Sequence, residues 1–139
     1  MKAFLIYCLV LIIVFSNGCS RTEEVSKNLL TINNIQDALK KQKINFQDSE
    51  IMKDYLLNSS EFSKGIRLGN GEEIYFYVFE NEGDRIQGLK EVKEQTAMVN
   101  TVFSPSFYEA KNVLLIYMHL HGIEGPEGKL NEAIQALRK

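Results

Sequence analysis

The stretch GIRLGNGEEIYFYVFENEGD, Gly65 to Asp84, constrains the fold of this chain more than any other. Asn70-Gly71 is the dipeptide that tolerates the positive φ angles of a tight hairpin turn. It separates Ile66-Arg67-Leu68 from the β-branched and aromatic run Ile74 to Phe79. In an extended chain Ile74, Phe76 and Val78 face one way and Tyr75, Tyr77 and Phe79 the other. A strand apolar on both faces belongs in the middle of a sheet, where both faces find cover. Asn112 to Leu120 reads as a second central strand of the same kind.

Helical spacing appears on either side of these strands. Thr31 is placed to cap a helix over 32–42, with Ile32, Ile35, Ala38 and Leu39 on one face and Lys40, Lys41 and Lys43 near the negative end of its dipole. Residues 44–48 read as a short strand, and residues 49–62 fit either a helix of one to three turns or a loop. Asp84 and Gln87 form a capping pair for a helix over 85–99, whose stripe is Ile86, Leu89, Val92, Thr96 and Val99. Within it Gly88 costs up to about 1 kcal/mol relative to alanine. Ser104-Pro105-Ser106 makes residues 100–111 a loop. Pro126 suits the first turn of a last helix carrying Leu130, Ala133, Ile134 and Leu137 at i, i+3, i+4 and i+7. This order predicts an α+β fold, a two-layer sandwich in which helices pack on one face of a small, mostly antiparallel sheet.

The N-terminus has another character. One positive side chain, Lys2, precedes Ala3 to Phe15, thirteen residues without a charge, which is the layout of a secretory signal peptide. As a helix this run covers about 20 Å, against about 30 Å of bilayer hydrocarbon. Ser16 and Gly18 are small residues at the places a signal peptidase reads, so cleavage is expected between Gly18 and Cys19. The stretch resembles the bacterial lipoprotein signal, in which a small residue precedes a cysteine that receives a diacylglyceryl thioether. Gly18 and Cys19 match that pattern, while Ser16 stands where the family usually has leucine. With the Lys-, Asn- and Ile-rich composition that follows, the chain resembles the small exported lipoproteins of low-GC Gram-positive bacteria. The resemblance implies lipid attachment at Cys19, the extracytoplasmic face of the cell membrane, and nothing about a ligand. Cleavage without lipid, leaving a secreted protein, and no cleavage, leaving a helical anchor, are the alternatives. The expected organisation is a signal over 1–18, a lipid attachment point and flexible tether over 19–30, and a single α+β domain over 31–139.

Removing 18 of the 139 residues leaves 121, enough for one domain with a sizeable core. Cys8 leaves with the signal, so Cys19 has no partner for an intramolecular disulfide. Lys2 leaves too, and the net charge moves from −2 to −3. That balance gives no reason to expect a nucleic acid partner, and it provides no attraction to anionic lipid. Any membrane hold must come from the acyl chains.

The sequence carries no Gly-x-Ser-x-Gly, Ser-x-x-Lys, Cys-x-x-Cys or His-Glu-x-x-His motif and no glycine-rich loop between strand and helix. No cofactor and no catalytic residue is therefore assigned. Two clusters merit weighing. His119 and His121, two apart on a strand and followed by Glu124, are the candidate metal ligands for Zn²⁺ or Cu²⁺, although two histidines also commonly finish a strand where it reaches water. Phe103, Phe107 and Tyr108, in the expected loop, are the candidate binding surface. Glu72-Glu73 and Glu80 to Asp84 lack the spacing of a calcium loop and read as solvated hairpin ends. The first expectation is a membrane-tethered extracytoplasmic lipoprotein acting as an interaction module towards an envelope or secreted protein. The alternative is a metal-binding envelope protein using His119 and His121.

Overall fold

The computed structural model describes residues 29–120 and 127–139. The signal and nearly all of the tether, with Cys19, and His121, Glu124 and Pro126 lie outside the described residues. The order is α1 (Ile32–Lys41), β1 (Phe46–Ser49), a 3-10 turn (Lys53–Tyr55), β2 (Phe62–Leu68), β3 (Glu73–Val78), α2 (Glu82–Thr96), β4 (Phe103–Ala110), β5 (Val113–Leu120) and α3 (Glu127–Arg138). The strands form one antiparallel sheet in the order β1-β2-β3-β5-β4. The expected α+β class is found, and β3 lies at the centre of the sheet.

Every residue of β3 is buried, and alternation sorts its side chains between two cores. Ile74, Phe76 and Val78 pack with Leu115 and Tyr117 of β5 beneath α1 and α3, which supply Ile35, Leu39, Leu130, Ala133, Ile134 and Leu137. Two of the three helices thus form a layer on one face. Tyr75 and Tyr77, with Phe79 beyond the strand, pack on the opposite face with Leu114, Ile116 and Met118 of β5, under Val92 and Leu89 of α2 and Tyr55 and Leu57. The second face thus has a partial cover of its own. Both cores are built from residues between Leu30 and Leu137.

The β2–β3 turn is closed by a hydrogen bond from Gly71 N–H to Leu68 C=O at 3.0 Å, and only Gly71 takes a positive φ, 87°. Residues 49–62, open between helix and loop on sequence, hold the single 3-10 turn that buries Tyr55. The last turn of α1 ends in a left-handed residue where glycine is usual. Lys43 has φ 56°, its N–H donates to Lys40 C=O at 2.8 Å, and Ile44 N–H donates to Leu39 C=O at 3.1 Å, with Leu39 and Ile44 both buried.

Two expectations are corrected. Residues 103–110 of the expected loop are the edge strand β4. Proline is tolerated on an edge, where its missing N–H leaves no ladder bond unmade, and Pro105 sits opposite Met118 in that register. The helix expected over 85–99 begins one turn earlier. Asn81, not Asp84, is its N-cap, with Asn81 Oδ1 accepting Asp84 N–H at 3.0 Å and Asn81 Nδ2 donating to Asp84 at 2.7 Å. The face that packs carries Arg85, Gly88 and Val92, with Leu89 partly buried beside them, and Ile86 turns to solvent.

Gly88 has a packing role that its helix propensity conceals. A Cβ at this position would stand 2.4 Å from Cζ of the fully buried Phe79 ring. Gly88→Ala is therefore expected to lower stability by about 1–3 kcal/mol, where helix propensity alone would raise it. Conversely, Lys43→Gly relieves a left-handed lysine and should raise stability by about 1 kcal/mol. Urea unfolding of both variants beside the parent protein checks the two signs.

Candidate interaction surface

The chain enters the folded body at one end of the sheet. Leu30 is buried there, its N–H donating to Asn112 Oδ1 at 2.7 Å and its C=O accepting from Asn112 Nδ2 at 3.1 Å. The same Nδ2 donates to Phe79 C=O at 2.9 Å, and Phe79 N–H donates to Asn112 C=O at 2.9 Å. Asn112, in the β4–β5 turn, thus joins the incoming chain to the end of the central strand. Arg85 fastens α2 to this turn. It is buried, and its Nε donates to Lys111 C=O at 2.7 Å, while its two remaining nitrogens meet the carboxylates of Glu82, at 2.9 Å, and Glu109.

The opposite end of the sheet holds the β2–β3 turn, the start of β4, the end of β5 and the C-terminal end of α2. Glu72 and Glu73, read from sequence as a solvated hairpin end, are buried there. Each carboxylate survives burial because hydrogen-bond donors surround it. Glu72 accepts from the Tyr117 hydroxyl, from Asn70 Nδ2 at 2.5 Å and from Leu120 N–H at 3.1 Å. Glu73 accepts from Arg67, at 2.7 Å from the nearer nitrogen, and from the Tyr75 hydroxyl at 2.5 Å. The hairpin register, which sets Arg67 opposite Glu73, is the signal that reveals the second of these clusters. Burial, and then the hydrogen bond and charge of Glu73, push the Tyr75 hydroxyl well above the ordinary phenol range. Tyr77 is raised likewise by burial and the neighbouring tyrosines, and donates to Tyr55 C=O at 2.6 Å. These hydroxyls act as fixed donors.

His119 lies near the end of β5, its ring 5.6 Å from that of Tyr117. Its expected co-ligands His121 and Glu124 lie outside the described residues. Among the described residues no three His, Cys, Asp or Glu side chains stand together as a metal site.

The three candidate aromatics are part of β4 and do not share a face. Phe103 and Phe107 rest, partly buried, against the core beneath α2, whereas Tyr108 rests against the core beneath α1 and α3. Among the described residues, the three most exposed large apolar side chains lie instead along α2 and its connection to β4. Met98 is 95% exposed, Val102 71% and Ile86 55%. An open groove of about 400 Å³ runs along the helix past Ile86, Leu89, Lys90, Lys93, Glu94 and Ala97. Beside it the Lys93 ammonium stands 5.2 Å from the centre of the Phe107 ring. Sequence reasoning missed Met98, which lies beyond the end of α2 at Thr96, and Val102, which falls in the expected loop.

Asn112→Ala is expected to cost about 1–3 kcal/mol, since it strips partners from Leu30 and Phe79 backbone groups. Met98→Ser should change stability by less than about 0.5 kcal/mol, as befits a side chain in water. Thermal unfolding of the two variants checks the contrast. No family model, curated protein or solved structure matches the chain.

Proposed function

We propose that this chain is a lipid-anchored, extracytoplasmic interaction module, held at the outer face of the cell membrane through Cys19 and offering its α2–β4 side to an envelope or secreted protein. The observation that carries this reading is the polarity of the fold. The chain enters at the end of the sheet fixed by Asn112, and the most exposed apolar side chains, Met98 and Val102, stand at the other end. A domain tied down by one end presents the other.

The distance fits the same picture. Ten residues separate Cys19 from Leu30, so the eleven steps between them reach at most about 40 Å. A domain of this size has a radius of gyration of about 13 Å, so the tether holds it within roughly its own dimensions of the lipid. Two or three acyl chains, at about 0.8 kcal/mol for each buried methylene, suffice for a stable hold. Among the described residues no helix is long and apolar enough to cross a membrane.

Intact mass and membrane partition of the expressed protein, beside a Cys19→Ser variant, test the anchor. The expected result is a lipid-sized mass increase and membrane retention in the parent, both lost in the variant. An unmodified Cys19 in a host that processes lipoproteins would overturn it.

A further inference from the structure

We propose that the outer face of α2 is self-complementary and pairs two copies of the chain, helix against antiparallel helix. This deepens the interaction reading by naming one occupant of the exposed surface, and it rests on that reading for the role of this side, not for the lipid.

The buried face of α2 is Arg85, Gly88 and Val92, so the side turned away from the domain carries Gly83, Gln87, Lys90, Glu94 and Ala97. These follow one another at alternating steps of four and three residues, the spacing of a seam along which two helices pack. Ala97, small and exposed at the end of the seam, allows close approach there. The charges then decide the orientation. Lys90-Glu91-Val92-Lys93-Glu94 reads with opposite sign on either side of Val92. A parallel pair would set Lys90 against Lys90 and Glu94 against Glu94. A two-fold axis at the level of Val92 instead sets Lys90 of each copy against Glu94 of the other, both close to the middle of the seam. Within one chain Lys90 and Glu94 approach only to 3.8 Å and remain about two-thirds exposed, so both charges are available.

The sheet edges compete poorly for a second copy. On β4, Pro105 has no N–H, Phe103 N–H donates to Thr101 Oγ1 at 2.8 Å, and Glu109 C=O accepts from Arg138 Nε at 2.8 Å. The other edge strand, β1, has four residues.

Sedimentation equilibrium of residues 19–139 carrying Cys19→Ser tests the pairing apart from any lipid, since both cores lie within this span. The parent should show a reversible monomer–dimer equilibrium. Lys90→Glu and Glu94→Lys should each weaken it at least ~10-fold with unchanged far-ultraviolet circular dichroism. An equimolar mixture of the two variants should dimerise again, because it sets two acids of one copy against two bases of the other. A parent monomeric up to ~1 mM would overturn the pairing. So would variants that dimerise as the parent does, or folded variants whose mixture stays monomeric. None of these outcomes bears on whether Cys19 is lipidated.

Discussion

The two-sided burial of β3 is the constraint on which the rest of this structure depends. A strand with water on one face needs one core, and β3 needs two. Its six residues present Ile74, Phe76 and Val78 to α1 and α3, and Tyr75 and Tyr77 to α2 and the 3-10 turn. Three positions elsewhere follow directly. β5 must be apolar on both faces as well, because it lies alongside. α2 must come close enough to roof the tyrosine side, which Gly88 permits over the Phe79 ring. The chain must then return along the outer side of β5, and so β4 becomes an edge.

Polar groups fix what the apolar ones only bring together. At one end of the sheet Asn112 and Arg85 bind backbone groups of Leu30, Phe79 and Lys111, so the incoming chain, the end of β3 and the start of α2 meet around one turn. At the other end Glu72 and Glu73 point to opposite faces of the sheet, and each is met by a tyrosine hydroxyl. Burial penalises a lone carboxylate heavily, which makes these contacts demanding of geometry. The sheet is held at both ends by hydrogen bonds and in the middle by packing.

Much of this was legible in the sequence where one physical signal dominated. The alternation in Ile74 to Phe79 marked a central strand, and the spacing of Leu130, Ala133, Ile134 and Leu137 marked the last helix. Failures came where two signals competed. The turn chemistry of Ser104-Pro105-Ser106 outweighed the strand character of Phe103, Phe107 and Tyr108, although an edge accepts proline. Asp84 stood closer to the apolar run than Asn81 did, and choosing it cut the first turn from the helix, while counting Ile86 into the stripe hid the packing of Gly88 on Phe79. The candidate surface suffered most from this. Which aromatic rings share a face, and which apolar side chains remain in water, depend on helical phase and strand register together.

The interruption of the sheet edges has a consequence at high protein concentration. Unpaired strand edges recruit further strands, and each addition leaves a new edge, so such growth has no natural end. Here the exposed side of β4 is interrupted by a proline and tied to Thr101 and Arg138, and β1 offers little length. Crowding therefore finds only short, interrupted templates for cross-β growth along these strands. An isologous contact between side-chain surfaces, by contrast, closes on itself and stops at a defined size.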